Sequence, residues 1–421
     1  FWLKRCAAAP PCRSLAAPDL GRSERGGELR AATGRMPAKE VVILEYTDLV
    51  ADANLSEKLL KAWGPDSLGI VAIRGVPHWE ELYLPVLRLS HALAHLPVAS
   101  LAALEHEPSL FNAGWSHGKE RLGDKPDFAK GSFYFNPLSD APGTEEDREK
   151  FPWAMPLNIW PKELPEMAGA CKALGQAMHE VCQHLGRLVD RTMAGRVDGY
   201  AADLTSTLRD TQKCKGRLLY YFPPKEVLVA DASSEVDSVS EDGWIGWHND
   251  SGFLTALTPD LYVDDATGEV LQNPDPAGAG LWVVDRDGGS VRVEIPRDCM
   301  AVQVGECTQV VTGGELVATP HCVRGCRPEL TGGRRVARIS CPCFVDTHPT
   351  FPLRMPAGST REAVLARGLS SKVPPLGERW EQDGQTFGDF LGASFRRYYD
   401  WSLSKAPPAK RARTESEAAV S

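Results

Sequence analysis

From Gly216 onward the chain breaks into short β-rich segments: "RLLYYF", "WIGWHND", "GFLTALTP", "LYVDD", "GLWVVD", "SVRVEI", "MAVQVG", "ELVATPHCV" and "RVARISCPCFV". Turn sequences such as "DATGE", "DRDGG" and "VTGG" divide them. Many short strands after a helical half predict an antiparallel barrel or double-sheet roll wrapped by helices. In that first half, "VVILEY" (41–46) reads as a buried strand and "SEKLLKAW" as a helix with Ser56 as N-cap. "GIVAIRGVP" is a second β run, and "WEELYLPVLRLSHALAHLP" is helical up to Pro97. Met167 to Met193 is the most regular helix, with Leu174, Met178, Val181, Cys182, Leu185, Leu188 and Val189 at helical spacing. Residues 107–165 read as irregular, aromatic and Pro-rich, a length of loop that often carries function.

Composition narrows the function classes. The chain is 43% hydrophobic and 24% charged, as globular proteins are. No apolar run reaches membrane-span length. A net charge of −9 argues against a chain-wide nucleic-acid surface. The 11 cysteines are odd in number, and neither Cys341/Cys343 nor Cys322/Cys326 has a matching second pair for zinc. With no apolar signal-peptide core at the start, reduced thiols in an intracellular protein are expected. Residues 1–39 are rich in Ala, Arg, Gly and Pro, and periodic sequence starts at Met36. Residues 1–35 read either as upstream translation or as an organelle transit peptide. The tail "KAPPAKRARTESEAAVS" cannot build a core, and its "PAKRAR" reads as a solvated tail or a nuclear import signal. The expected compartment is the cytoplasm, with nucleus and plastid as alternatives.

Within "GWIGWHNDSGFLTALTP", His248 and Asp250 sit two apart in an apolar run. On a strand they point to the same side. Asp is rarely buried unless it is paired or holds a metal. The alternative is a satisfied core histidine beside a turn aspartate. His321 in "VATPHCVRG" supplies a candidate third ligand. Two His and one carboxylate with open positions form the facial arrangement of non-haem Fe(II) oxygenases. Arg338 and Ser340 in "RISCPCF" share a strand face, and a guanidinium with a hydroxyl can hold a carboxylate. The alternative for Arg338 is a surface ion pair.

These segments, in this order, resemble the isopenicillin N synthase-like group of iron(II)/2-oxoglutarate-dependent oxygenases. The resemblance spans about residues 41–350 and rests on "KAWGPDSLGIVAIRGVP", "RLLYYFPP", "WHND", "GLWVVDRDGGSVRVEIPRDCMAVQVGE", "TPHCVRG" and "RISCPCF". It implies an α+β fold: a double-stranded β-helix, jelly-roll and cupin-like, with an N-terminal helical layer. The expected organisation is a disordered or transit-like segment 1–39 and an N-terminal α/β region 40–215. An oxygenase core 216–350, a C-terminal helical segment 351–403 and a disordered basic/acidic tail 404–421 follow. By the resemblance, His248, Asp250 and His321 match the iron ligands. Arg338 and Ser340 match the pair that binds the distal carboxylate of 2-oxoglutarate, and Tyr220 and Tyr221 fall where a tyrosine helps hold it. The implied activity is oxidation of a small molecule with O2 and 2-oxoglutarate, giving succinate and CO2, with ascorbate as an auxiliary reductant. A monomer acting on a small molecule, without nucleic acid, is expected. The rivals are an iron oxygenase that uses no keto acid and a nuclear protein that modifies or binds a macromolecule.

The chain also departs from the family pattern. "PDLYVDDATGEVLQNPDPAGA" looks like an inserted hairpin at the barrel mouth, and "CRPELTGGRR" stretches the span from His321 to Arg338. Phe222 replaces a proline, and Glu306 stands where an Asp is usual. Arg335 is a weaker rival to Arg338. Phe133, Tyr134 and Phe135, with Trp247, are the candidates for the substrate pocket, against a core role for the first three. His91 and His95 have zinc-like helical spacing but no acidic third ligand, so they read as ordinary surface or core residues. "DRDGG" reads as a hairpin turn rather than a calcium loop.

Overall fold

Short strands close on one another here because long-range pairing, not local sequence, satisfies their backbones. The computed structural model describes residues 41–119, 121–122, 125–223, 244–367 and 372–404. The segment 1–39 and the tail from 405 with "PAKRAR" lie outside the described residues. Strand β1 (Val42–Glu45) pairs in parallel with β2 (Ile70–Arg74). Helices α1 (Tyr46–Val50) and α2 (Ser56–Trp63) connect them. Ser56 is the first helical residue, not the cap. Leu55 holds the cap position, and the Ser56 N–H donates to Asn54 Oδ1 at 3.3 Å. Helix α3 (Trp79–Ala94) keeps Pro85 inside it, and α4 (Met167–Ala194) buries the whole expected apolar stripe.

The stretch expected to be irregular contains a hairpin, β3 (Gly114–His117) with β4 (Lys130–Phe135). Its sequence hides the pattern because glycines take the place of periodic apolar residues. A Cβ at Gly131 would lie 2.2 Å from the Trp115 ring, and one at Gly216 would lie 2.2 Å from the Phe135 ring. Each glycine is the seat of a cross-strand aromatic ring.

The remaining strands are β5 (Cys214–Tyr221), β6 (Ile245–His248), β7 (Leu254–Leu257), β8 (Leu261–Asp264) and β9 (Val270–Leu271). They continue as β10 (Gly280–Val284), β11 (Ser290–Val293), β12 (Cys299–Val304), β13 (His321–Arg324), β14 (Val336–Ser340) and β15 (Cys343–Val345). "ELVATPHCV" is a strand only from His321. Before it the chain turns at Gly313 and Gly314, both at positive φ.

Among the described residues the major sheet runs β1-β2-β12-β7-β15-β5-β14-β8-β9, and β3 and β4 join it through β4 on β5. The minor sheet runs β11-β10-β13-β6. Together they form a double-stranded β-helix of the jelly-roll kind, in an α+β fold. Helices α3 and α4 pack on the outer face of the major sheet. Strand alternation then sorts β5: Leu218 and Tyr220 join the core under the helices, while Leu219 and Tyr221 face the interior. The segment expected to be an inserted hairpin forms β8–β9, and the chain after it is tied down where Arg327 donates to both oxygens of buried Asp275. "DRDGG" is the β10–β11 turn, with Asp285 Oδ1 accepting the Asp287 and Gly289 N–H groups. No helix among the described residues is long and apolar enough to cross a membrane.

Candidate metal centre

His248 ends β6 and His321 begins β13, and the two residues are register partners in the minor sheet. That pairing brings their rings to 4.2 Å between centroids. Asp250, just past β6, places Oδ1 4.0 Å from His248 Nε2 and 3.8 Å from His321 Nε2. One ligand atom from each residue lies within 4.8 Å of the others. Each imidazole is oriented by its other nitrogen: Nδ1–H of His248 donates to Gly246 O at 2.9 Å, and that of His321 to Thr319 O at 3.1 Å. This leaves both Nε2 lone pairs facing Asp250, the arrangement in which histidines ligate metals. Desolvation and the facing His321 hold the His248 imidazole down at about 4, so it is neutral at pH 7. Asp250 is buried, and its Oδ2 has no hydrogen-bond partner. A buried carboxylate oxygen without a hydrogen-bond partner, beside two imidazoles whose Nε2 atoms face it, is costly unless a cation completes it. The donor set of two nitrogens and a carboxylate suits a divalent metal such as Fe(II).

Asn249, between two of these ligands, is held from outside the barrel. Its N–H donates to Tyr398 Oη at 2.8 Å, and its side-chain amide to Glu306 Oε1 at 2.8 Å. Tyr398 belongs to a C-terminal helix, α5 (Phe387–Ser404), and burial pushes its phenol up. Glu306, the residue that departs from the usual Asp, forms a two-pronged buried ion pair with Arg379. Its N–H donates to Asp250 O at 2.8 Å. Sequence reasoning missed this support, which comes from residues far along the chain.

His248, Asp250 and His321 open onto a cavity of about 200 Å³ that also takes in Arg338, Ser340 and Tyr221. Apolar residues Leu219, Leu257, Leu281, Val323 and Phe344 form much of the wall, and Asn273 and Pro276 of the inserted segment reach it. Arg338 stacks over the Tyr221 ring at 4.7 Å. Its Nη2 donates to Asp260 Oδ1 at 2.5 Å, its Nη1 lies 3.5 Å from Ser340 Oγ, and its Nε has no partner. Tyr262, the register partner of Arg338, has a buried hydroxyl without a partner. Neither Asp260 nor Tyr262 is a candidate from sequence. The alternation in "PDLYV" is the available signal, since it aims both at the Arg338 face.

Other candidates lie elsewhere. Tyr220 points under the helices, where its hydroxyl donates to Asp265 Oδ1 at 2.7 Å, so it does not reach the cavity. Arg335 also serves Asp265, at 3.1 Å, and His91 donates from Nε2 to the Asp265 carbonyl. Phe133 and Phe135 are core residues against Trp160, and Tyr134 lies under Arg217 and Lys215. The first two face the core because they alternate with Tyr134 along β4. Trp247 packs under Lys372 at 4.1 Å and is not part of the cavity wall.

No family model matches the sequence, and no curated protein matches it. Solved structures do. A 2OG-Fe(II) oxygenase family protein from Caulobacter crescentus superposes with a TM-score of 0.59 at 17% identity, covering 86% of this chain and 99% of its own. A full-length Neurospora crassa protein, solved in complex with alpha-KG, gives 0.56 at 15% identity, covering 83% and 94%. JOX2, in complex with 2OG, Fe and JA, gives 0.54 at 16% identity, covering 88% and 90%. The chain therefore has the double-stranded β-helix fold of the 2OG-Fe(II) oxygenases.

Proposed function

We propose that the protein is an Fe(II)- and 2-oxoglutarate-dependent oxygenase that hydroxylates or otherwise oxidises a small organic substrate. The carrying observation is that one cavity holds both the His248–Asp250–His321 group and the buried Arg338 beside Ser340. For a hydroxylation, substrate, O2 and 2-oxoglutarate give hydroxylated product, succinate and CO2. Bound Fe(II) would supply the redox chemistry that couples the two oxidations. The ligands to hold it are His248 Nε2, His321 Nε2 and the Asp250 carboxylate. Arg338 and Ser340 would fix the distal carboxylate of the keto acid, and Tyr221 keeps the guanidinium plane in place by stacking. The apolar wall keeps water away from the reacting groups. Asn273 and Pro276 at the rim are positioned to discriminate among substrates. Bound alpha-KG in the Neurospora crassa protein and bound 2OG and Fe in JOX2 support this reading.

The test is a metabolite screen for substrate-stimulated succinate formation. The protein is loaded anaerobically with Fe(II) and 2-oxoglutarate and then exposed to O2. Succinate release that depends on both, and on an added small molecule, is expected. Turnover of a substrate without any keto acid refutes the proposal.

A further inference from the structure

We propose that Asp260 is an internal stand-in for the distal carboxylate of the cosubstrate, so that 2-oxoglutarate binds by exchange with it on Arg338. This rests on the function proposed above. The pair is unequal in exposure. The Arg338 side chain is 5% exposed and held over Tyr221, whereas that of Asp260 is 24% exposed. Asp260 lies just before β8, outside the ladder that begins with Leu261 opposite Ile339. Of the two partners, the carboxylate is the one free to swing away.

The fit of Asp260 to the site is also incomplete. It takes Nη2 of the guanidinium and leaves the buried Nε and the buried Tyr262 hydroxyl unpartnered. Both are donors, and unpaired buried donors are costly. A carboxylate entering from the cavity can take the guanidinium with two oxygens and accept from a hydroxyl as well. Gly280, at φ +115°, a conformation that side-chain-bearing residues rarely adopt, lies beside the pair. A Cβ there would lie 3.4 Å from Asp260 Oδ2, 3.7 Å from Tyr262 Oη and 3.8 Å from Arg292 Nε. Arg292, whose Nε donates to Ala279 O at 2.9 Å and whose Nη1 pairs with Glu294, is thus a second guanidinium on the Asp260 side of Gly280.

Exchange makes cosubstrate affinity weaker than Arg338 alone would provide, because the incoming carboxylate has to replace one already bound. The experiment is calorimetric titration of 2-oxoglutarate into the Mn(II)-loaded full chain under nitrogen. It compares parent, Asp260→Asn and Asp260→Ser, with thermal melts to verify folding. The neutral variants are expected to bind several-fold more tightly, up to about fivefold for the ~1 kcal/mol of a part-exposed charge pair. Tyr262→Phe is expected to weaken binding several-fold without changing Mn(II) affinity. A parent that binds 2-oxoglutarate while folded neutral variants bind it equally or less tightly overturns the exchange alone. Failure of both neutral variants to fold also overturns it, since Asp260 would then be a structural partner of Arg338. If neither the parent nor the folded variants bind 2-oxoglutarate, the proposed function falls with it.

Discussion

Arg338→Ala separates the carboxylate clamp from the metal. Arg338 is buried, Asp260 is its ion-pair partner, and its Nε remains unpaired. With 2-oxoglutarate bound, Arg338 would hold its distal carboxylate, and truncating one member of a buried, hydrogen-bonded charge pair of that kind costs on the order of 3 kcal/mol. At about 1.4 kcal/mol per tenfold, that is roughly a hundredfold loss in 2-oxoglutarate affinity. The variant also leaves the Asp260 carboxylate facing the incoming one, so Arg338→Ala with Asp260→Asn should recover part of the loss. Arg338→Lys should recover only part as well, because an ammonium cannot reproduce the planar fork. Arg335→Ala is the internal control: its side chain is 58% exposed and pairs with Asp265 outside the cavity. The assay is anaerobic titration of 2-oxoglutarate with Mn(II) bound, alongside KM from succinate formation. Mn(II) affinity should change little in Arg338→Ala. If Arg335→Ala carries the defect and Arg338→Ala does not, the assignment of the clamp is wrong.

His248→Ala, Asp250→Ala and His321→Ala should each abolish or strongly weaken Fe(II) binding while circular dichroism stays that of the parent; three variants that bind iron normally would refute the metal centre. Arg379→Ala strands the buried Glu306 carboxylate and should destabilise by about 3–5 kcal/mol, read as a lower Tm and denaturation midpoint. An unchanged melt would show that the buried pair, whose Arg379 also donates to Ser394 Oγ of the C-terminal helix at 3.2 Å, does not hold this part of the fold together. Lys215→Met tests a half-buried base, whose Nζ donates to Asn112 Oδ1 at 3.1 Å. Burial holds the Lys215 ammonium down at about 7, against an ordinary value near ~10.4. Between those values the unfolded chain carries a proton that the folded chain lacks, so this group makes stability rise with pH. Below about 7 the folded chain carries the partly desolvated charge, and the full cost is present. The substitution should therefore raise Tm at pH 6 more than at pH 10, and the reverse order would contradict the reasoning.

Sequence suffices where spacing alone carries the signal. The helical stripe of Met167–Ala194 needs only a period, and the H-x-D spacing is enough to nominate His248 and Asp250, although Asp250 lies just past the strand that ends at His248. The order of the strand segments, taken with the resemblance, is enough for the jelly-roll fold. The sheets decide the rest. Tyr220 and Tyr221 are adjacent, so only one can face the cavity, and which one depends on the side of β5 the helices cover. The hairpin β3–β4 is hidden because its signal is a fit of rings over glycines on neighbouring strands. Asp260 draws no notice in "TPDLY" until the β8–β14 register sets Tyr262 opposite Arg338. Glu306 meets Arg379 only after the chain has passed through the minor sheet and returned along the barrel. Short-range sequence constrains period and direction, whereas a charge pair between residues this far apart exists only once register and layer packing have brought them together.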